Sequence, residues 1–293
     1  MNIATTTTEL QRMLAPAREH ERIALVPTMG CLHEGHLSLI RKAKKMADIV
    51  VVSIYVNPTQ FGPNEDFDAY PRTFEQDREL CRKEGVDIVF HPADLYPANG
   101  IKVSLKVDEL DNMLCGASRP GHFDGVVTVV NILFNIVQPH IAIFGEKDFQ
   151  QLAIITRMAS DLQMDIEVVG APILRETDGL AMSSRNRYLS REQRSLATSI
   201  YAALSTIQDA FETGEYHSEP LLSIGRSKLN EADIEPEYLE IRDAATLQPV
   251  DNLNLGQFRL FIAAKIGNTR LIDNIALERA TTSSSECAME TML

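Results

Sequence analysis

The chain of 293 residues contains no tryptophan and only four cysteines, and it is poor in positive charge. Its 28 lysines and arginines stand against 41 aspartates and glutamates, which gives a formal net charge of −13 at pH 7. The densest basic run, at 41–45, is interpreted as a solvated helix face. Because nucleic-acid binding depends on neutralising phosphates with lysine and arginine, this charge balance argues against a nucleic-acid partner.

The cysteines and the apolar runs also exclude several classes of protein. Cys31, Cys81, Cys115 and Cys287 lack the C-x-x-C spacing of metal and redox sites. The first residues have neither the basic start nor the apolar core of a secretion signal, so we expect a cytoplasmic protein. The longest uncharged stretch, at 125–145, is interrupted by polar residues and a proline. It predicts a buried helix followed by a strand, and not a membrane span.

Short apolar strands alternate with amphipathic helices through roughly the first 170 residues. The strand candidates lie at 23–26, 49–56, 87–90, 140–144 and 166–169. The helix candidates lie at 36–46, 73–84, 125–137 and 149–162. β-Branched strands of this kind are typical of a parallel sheet that is buried on both faces. The alternation predicts a doubly wound, Rossmann-like α/β fold, whose ligand crevice lies at the carboxyl ends of the strands.

The pattern changes beyond Pro172, where a loop rich in charge and glycine begins. Further helices are predicted at 191–211 and 219–230, and further strands at 238–242 and 258–266. We therefore predict a nucleotide- and substrate-binding domain at 1–172 and a smaller α+β lid domain at 173–280. The remainder, 281–293, has no apolar periodicity and is predicted to be disordered.

The segment 27–36, which we call the histidine turn, connects the first predicted strand to the following helix. Such a turn directs backbone N–H groups and the positive end of a helix dipole at one point, and Gly30 and Gly35 let an anion approach the backbone. His33 and His36 are three residues apart, so both can donate hydrogen bonds to charge that develops on a leaving group. The segment is therefore predicted to bind nucleotide phosphates.

The histidine turn matches neither of two common phosphate motifs. Its glycines do not form G-x-G-x-x-G, and His36 and Leu37 stand where a P-loop has Lys and Ser or Thr. The H-x-G-H pattern resembles the signature of the nucleotidyl-transfer superfamily, which attacks the α-phosphate of ATP and releases pyrophosphate. The alternative is that both histidines are ordinary polar residues of a turn. The strand before them and the helix after them favour the functional interpretation.

Three further polar segments are candidates for the same site. Lys147 lies in 145–148, the lysine turn, where its compact charge could meet a phosphate at the mouth of the crevice. The alternative is an ordinary surface lysine. The Ser-Ser-Arg loop at 182–185 offers two hydroxyls and a guanidinium that could close over a triphosphate. Neutral amides at 57–60 and 150–151 suit the hydroxyl and carboxylate groups of a small polar substrate.

Taken in order, these segments resemble the pantothenate synthetase family. The blocks read PTMG at 27–30 with LHEGH at 32–36, NPTQF at 57–61, DAYPRT at 68–73, RPGHF at 119–123, FGEKDFQQ at 144–151 and LAMSSRN at 180–186. The resemblance extends from about residue 20 to about residue 275. The Ser-Ser-Arg loop also resembles the Lys-Met-Ser-Lys-Ser signature of class I adenylate-forming enzymes, but it departs from that signature because Arg185 stands where the second lysine would be.

The resemblance implies an ATP-dependent ligase that joins pantoate to β-alanine and releases AMP and pyrophosphate. The reaction would take two steps through an enzyme-bound pantoyl adenylate, and the domain at 1–172 would bind pantoate as well as the nucleotide. ATP, accompanied by Mg²⁺, would be a co-substrate, and no tightly bound organic cofactor is implied. Members of the family are typically cytoplasmic homodimers, so we expect a homodimer that has small-molecule partners and neither a nucleic-acid nor a membrane partner.

The resemblance also assigns residues to roles. The catalytic residues would be His36, His33 and Lys147. The ATP site would be lined by Met29, Gly30, Cys31, Leu32, His33, Glu34, Gly35, His36, Gly145, Glu146, Lys147, Asp148, Leu174, Met182, Ser183, Ser184 and Arg185. Gln60 and Gln151 would hold pantoate, with Gln60 also at the β-alanine position. Asp77 is expected to be a ligand of Mg²⁺.

Two rival functions are considered. A nucleotidyltransferase that acts on a phosphate acceptor would share H-x-G-H, but it would not need the amides of 57–61 with their counterpart at Gln151. A nucleotide-binding sensor would not need catalytic side chains, whereas His33, His36 and Lys147 are all present. Both observations favour the ligase.

Overall fold

The computed structural model describes residues 1–63 and 65–278, so the predicted disordered segment 281–293 lies outside the described residues. The elements are β1 (Asn2–Ala4), α1 (Thr7–Leu14), β2 (Ile23–Thr28), α2 (Glu34–Met46), β3 (Ile49–Ile54), α3 (Phe74–Lys83), β4 (Ile88–Phe90), α4 (Leu114–Ser118), α5 (His122–Val137), β5 (Ile141–Gly145), α6 (Phe149–Asp161), β6 (Glu167–Ala171), α7 (Arg191–Glu212), α8 (Ser218–Asn230), β7 (Pro236–Asp243), β8 (Phe258–Ile266) and β9 (Thr269–Leu277). Short 3₁₀ turns lie at Pro58–Gln60, Glu146–Asp148 and Ser184–Tyr188.

Six parallel strands form the larger sheet, in the order β1-β4-β3-β2-β5-β6. From β2 the chain proceeds outward through β3 and β4 on one side, and later through β5 and β6 on the other. The strand order therefore reverses between β2 and β5, which pair at Ala24 with Ile141 and at Leu25 with Ala142. In open α/β sheets, ligands bind outside the carboxyl ends of the strands at this switch point. The histidine turn follows β2 and the lysine turn ends β5, so both lie there.

Helices cover both faces of this sheet, as the strand β2 illustrates. Its residues Ile23 and Leu25 pack into a core formed with α1, α5 and α6. The alternate residues Ala24 and Val26 pack into a second core formed with α2. Because successive strand residues point to opposite faces, both faces are buried, which explains the uninterrupted apolar run. The doubly wound prediction is confirmed.

The smaller sheet is antiparallel, in the order β7-β8-β9, and packs against α7 and α8 around a core of its own. The helices α7 and α8 approach closely at Gly225, where a Cβ would lie 2.3 Å from Ile207 Cδ1. This arrangement fits the predicted α+β unit, while its boundary at 172 stays a prediction. No helix among the described residues is long and apolar enough to cross a membrane.

Four elements are not predicted by the sequence patterns: β1, α1, α4 and β9. Strand β1 has 3 residues and helix α4 has 5, too few to show a period. The signal for α1 was its capping box, in which Thr6 and Glu9 satisfy each other's backbone N–H groups. In β9 the adjacent polar residues Asp273 and Asn274 interrupt the apolar alternation, although both are buried.

Candidate active site

The side chain of Asp77, in α3, holds the histidine turn in place. Gly30 and Cys31 have positive φ angles of 81° and 51°, so the chain bends sharply after β2. The N–H groups of Cys31 and Leu32 then donate to the two oxygens of the Asp77 carboxylate, at 2.9 and 2.7 Å. The Thr73 hydroxyl donates to the same carboxylate at 3.1 Å. A Cβ on Gly30 would lie 3.0 Å from Asp77 Oδ2, so the close approach requires glycine.

These contacts give Asp77 a structural role. It is 1% exposed, and both its oxygens accept hydrogen bonds from the protein. Asp77 therefore holds the turn, and its role as a ligand of Mg²⁺ stays a prediction. The N–H groups of Cys31 and Leu32 are likewise occupied and are not free to meet phosphate. No group of three or more His, Cys, Asp or Glu side chains among the described residues is arranged to hold a metal ion.

The two histidines of the turn form a tilted pair with ring centroids 4.1 Å apart. Burial, together with the charge of Lys147, lowers the pKa of His33 to about 4. Burial, the neighbouring His33 and Lys147 lower the pKa of His36 to about 3. Both rings are therefore neutral at pH 7. His36 Nδ1 accepts the backbone N–H of His33 at 3.3 Å, so the ring proton lies on Nε2, where it can be donated to a ligand.

The lysine turn brings Lys147 to the same cleft as His33 and His36. Strand β5 ends at Gly145, a 3₁₀ turn spans Glu146–Asp148, and α6 begins at Phe149. Since β5 is the neighbour of β2 in the sheet, the two turns emerge side by side. An ammonium group beside two neutral hydrogen-bond donors is suited to stabilise negative charge on a departing phosphate group.

The Ser-Ser-Arg loop lines the same cleft as these turns. The Ser183 hydroxyl accepts the backbone N–H of Arg185 at 3.3 Å, which shapes the loop. The Arg185 guanidinium donates to both oxygens of Asp66, at 2.9 and 3.2 Å. This pair uses Nε and Nη2, and Nη1 remains as a donor for a phosphate. The segment that precedes the loop is tied to α7, because Glu176 pairs with Arg194 at 2.7 Å.

The predicted substrate amide Gln60 is oriented by its neighbours. The Asn57 side-chain amide donates to Gln60 Oε1 at 3.1 Å and to the Gly125 carbonyl at 3.2 Å. The Gln60 Nε2 group, 3.1 Å from the Met29 sulfur, keeps a donor at the cleft. Gly125 is needed here because a Cβ would lie 2.3 Å from the carbonyl oxygen of Thr59. Helix α5 thus packs directly against the segment that carries Gln60.

Arg119 and His122 complete this wall of the cleft. Burial and the charge of Arg119 lower the pKa of His122 to about 4, so its ring is neutral. Arg119 donates to His122 Nε2 at 2.9 Å, and the proton on Nδ1 is donated to the Gln60 carbonyl at 2.7 Å. The Arg119 guanidinium also forms a bidentate pair with Glu65, at 2.6 and 2.7 Å. These contacts fix the backbone at Gln60.

Most of the predicted site residues meet in one cleft. It is lined by Met29, His33, Gly35, His36, Gln60, Gly145, Lys147, Asp148, Gln151, Leu174, Met182, Ser183, Ser184 and Arg185. Five others lie outside that lining: Gly30, Cys31, Leu32, Glu34 and Glu146. Glu34 instead pairs with Arg41, and Glu146 pairs with Arg259 at 3.0 Å. The contact of these five residues with ATP stays a prediction.

The sequence reasoning missed one wall of the cleft. It is formed by Tyr70 and by the α5 residues Val126, Val129, Val130 and Leu133. The α5 residues have the spacing i, i+3, i+4, i+7 of a single helix face, which was visible in the sequence. The same spacing is typical of a core helix, and these residues do belong to the core. Only the structure distinguishes the end of the core from the wall of a cleft.

Comparisons with known proteins agree with the function that the geometry of the site indicates. A family model described as pantoate-beta-alanine ligase matches residues 2–276. A pantothenate synthetase from Syntrophotalea carbinolica is 53% identical over 266 residues, which cover 90% of this chain and 93% of the relative. Another, from Thermotoga petrophila, is 49% identical over 281 residues, which cover 94% of this chain and 100% of the relative.

Solved structures agree with the sequence comparison. The pantothenate synthetase of Thermus thermophilus superposes with a TM-score of 0.89 at 42% identity, covering 94% of this chain and 99% of that one. A pantoate-beta-alanine ligase from Francisella tularensis, solved in complex with beta-gamma ATP and beta-alanine, has a TM-score of 0.78 at 36% identity, covering 96% and 99%. The family match over residues 2–276 and these relatives establish that the chain belongs to the pantoate-beta-alanine ligase family.

Proposed function

We propose that the protein joins pantoate to β-alanine with ATP, and releases pantothenate, AMP and pyrophosphate through a pantoyl adenylate. The observation that carries this proposal is the convergence of neutral His33 and His36 with Lys147 at the switch point of the sheet. The relative from Francisella tularensis, solved with beta-gamma ATP and beta-alanine, supports the same choice of substrates.

In the first step the pantoate carboxylate attacks the α-phosphorus of ATP. A bond forms between the carboxylate oxygen and phosphorus, and the bond from phosphorus to the bridging oxygen breaks, so pyrophosphate leaves with the negative charge. The Nε2–H group of His36 and the ammonium of Lys147 would stabilise that charge. Neutral rings suit this task, because they donate hydrogen bonds without giving a proton to ATP beforehand.

The pantoate part of the cleft combines amides with an apolar wall. Gln60 and Gln151 supply amide groups for the hydroxyl and carboxylate groups of pantoate. Val126, Val130 and Leu133 of α5 present methyl groups that suit the two methyl substituents of its carbon chain. The wall therefore suits a carboxylate substrate that also carries apolar groups.

In the second step the amine of β-alanine attacks the carboxyl carbon of the adenylate. The amide bond forms, the nitrogen gives up one proton to the solvent, the bond from that carbon to the phosphate oxygen breaks, and AMP leaves. The mixed anhydride is sensitive to water, so the Ser-Ser-Arg loop would protect it when closed over the cleft. The pair between Arg185 and Asp66 links this loop to the opposite rim.

Mg²⁺ would enter the site with ATP, because it keeps several waters and binds mainly to phosphate oxygens. Asp148 is an acidic side chain that lines the cleft, and it could contribute to holding the hydrated ion. When bound, the ion would neutralise phosphate charge. The cytoplasmic location and the homodimer rest on the family resemblance and stay predictions.

Product analysis tests the proposal. With MgATP, pantoate and β-alanine, we expect AMP, pyrophosphate and pantothenate in equal amounts. The matched control replaces pantoate with 3,3-dimethylbutanoate, which keeps the carboxylate and the methyl groups but lacks both hydroxyls. This analogue should react poorly, because it leaves the amides of Gln60 and Gln151 unpaired. Formation of ADP instead of AMP, or ATP cleavage without an amide product, would contradict the proposal.

A further inference from the structure

Strand β9 carries two adjacent buried polar residues that the reaction described above does not use. Asp273 is 3% exposed and Asn274 is 1% exposed. Buried polar groups of this kind require partners, and here the partners lie on the segments that carry the active-site residues. Asp273 accepts both hydrogen bonds of a bidentate pair with Arg175, at 2.6 and 3.0 Å. Arg175 lies in the segment that leads to the Ser-Ser-Arg loop.

Asn274 is bound to the lysine turn itself. Its side-chain amide nitrogen donates to the carbonyl oxygens of Glu146 and of Lys147, both at 2.9 Å. Its side-chain oxygen accepts from Arg259 at 2.7 Å. The two N–H groups and the oxygen of the amide are therefore all engaged, and two of the three bonds hold the backbone on either side of the Lys147 Cα atom.

Arg259 completes the support from the same sheet. Its guanidinium donates to Asn274 Oδ1 and, at 3.0 Å, to the Glu146 carboxylate, and it lies 3.9 Å over the ring of Phe149. Phe149 is the first residue of α6, directly after the turn. The lysine turn is thus held at Glu146, at Lys147 and at its exit by one cluster that belongs to β8 and β9.

We propose that Asn274 is a positioning residue for Lys147 in adenylate formation, an inference that rests on the proposed function. Asn274 does not line the cleft that contains His33 and His36. It acts by fixing the backbone from which the lysine side chain reaches the cleft. A displacement of about 1 Å of a group that stabilises the transition state can reduce a rate by about 100-fold, so such a support is consequential.

The test is a double-mutant cycle on the full-length protein. The rate of pyrophosphate release is measured in a single turnover with excess protein, MgATP and pantoate. We expect Asn274→Ala to slow release by about 10- to 100-fold when Lys147 is present. In the Lys147→Ala background the same change should alter the rate by less than about twofold, because the group it positions is gone.

A second variant separates positioning from folding. Asn274→Asp keeps the size of the side chain and can pair with Arg259, but it cannot donate to the two carbonyl oxygens. We expect Asn274→Asp to slow pyrophosphate release as strongly as Asn274→Ala. If the alanine variant does not fold, Asn274→Asp replaces it in the double-mutant cycle. Thr269→Val, a buried change on the same strand that is 6% exposed in the parent, is the matched control and should retain the parent rate.

The outcomes are distinct. Equal slowing by Asn274→Asp with and without Lys147 would overturn the positioning role, and so would a parent-like rate for Asn274→Asp. The same conclusion would follow if Thr269→Val slowed release as much as the Asn274 variants. If the unmodified protein releases no pyrophosphate from MgATP and pantoate, the proposed function itself fails, whatever the variants do.

Discussion

The histidine turn and the lysine turn leave neighbouring strands of one sheet and serve one cleft, yet they are held by different parts of the molecule. Asp77 of α3 holds the histidine turn from within the parallel-sheet unit. Asn274 of β9 holds the lysine turn from the smaller sheet. A displacement of the smaller sheet would therefore be transmitted to Lys147 and not to His33 or His36. The two histidines are thus supported by a helix of the same unit, whereas the charge of Lys147 is supported by the smaller sheet.

The largest effect is expected from removing that charge. Lys147→Ala should slow single-turnover pyrophosphate release by about 100- to 1,000-fold, because a preorganised group that stabilises the leaving group is lost. The fold should remain, since the change removes no core side chain. Lys106→Ala, at a lysine whose side chain is 74% exposed, is the control and should leave the rate unchanged. A near-parent rate for Lys147→Ala would show that the histidine turn alone carries the chemistry.

Loosening the histidine turn is expected to have the next largest effect. Asp77→Asn replaces one of the two carboxylate oxygens with an NH₂ group. Either the N–H group of Cys31 or that of Leu32 then faces this NH₂ group and loses its hydrogen-bond acceptor. We expect a loss of about 2 to 3 kcal/mol in the free energy of unfolding, measured in urea, together with slower pyrophosphate release.

Asp87→Asn is the matched control, because the Asp87 carboxylate also accepts a backbone N–H, that of Val50 at 2.8 Å, but away from the cleft. It should lower stability without slowing the reaction. Equal rates for the Asp77 and Asp87 variants would mean that the histidine turn does not depend on its carboxylate support.

A smaller effect is expected when a methyl group is added to the backbone of the histidine turn at Gly30. Gly30 has φ +81°, and a Cβ there would also lie 3.1 Å from Ile54 Cγ2; Gly85 has φ +71° with nothing within 4 Å. Both alanine variants incur the left-handed penalty of about 1 to 2 kcal/mol. Gly30→Ala should be less stable than Gly85→Ala in urea and should also react more slowly. Identical behaviour of the two variants would show that the turn accommodates a side chain freely.

The smallest effect is a fall in the free energy of unfolding at low pH. Burial lowers the pKa of His33 to about 4 and of His36 to about 3, so the unfolded chain binds protons at these positions more readily than the folded protein below about pH 6.5. The free energy of unfolding should therefore be unaffected by them above pH 6.5 and should fall between pH 6.5 and 5, by about 1 kcal/mol for each partly exposed ring.

The lysine turn contributes to this acid sensitivity, because the charge of Lys147 disfavours protonation of both rings. Urea unfolding of Lys147→Ala across the same pH range should show a shallower fall than in the parent. Equal slopes would mean that the two turns do not sense each other electrostatically.

The two turns also differ in how far the sequence predicts them. The histidine turn is encoded locally, since an apolar strand precedes its two glycines and two histidines and an amphipathic helix follows them. The sequence likewise placed Lys147 after a buried strand, whereas the position of β5 beside β2 is seen only in the structure. Local periodicity was sufficient for these features because each depends on neighbours along the chain.

The supports of both turns were not predictable in the same way. The resemblance implied Asp77 as a ligand of Mg²⁺, but no feature of a sequence with 41 acidic residues shows that its carboxylate accepts the N–H groups of Cys31 and Leu32. Asn274 lies 128 positions from Glu146, and its role depends on the packing of β9 against the lysine turn. The pair between Arg185 and Asp66 was not predictable for the same reason, since 119 positions separate the two residues.

The most direct test of the central claim is rapid-quench measurement of pyrophosphate from MgATP and pantoate, first without and then with β-alanine. A two-step reaction through an adenylate predicts a burst that approaches one pyrophosphate for each active site with pantoate alone, followed by sustained turnover and AMP release once β-alanine is added. A protein that releases no pyrophosphate until β-alanine is present would contradict the separate adenylate step, and with it the role given to the two turns.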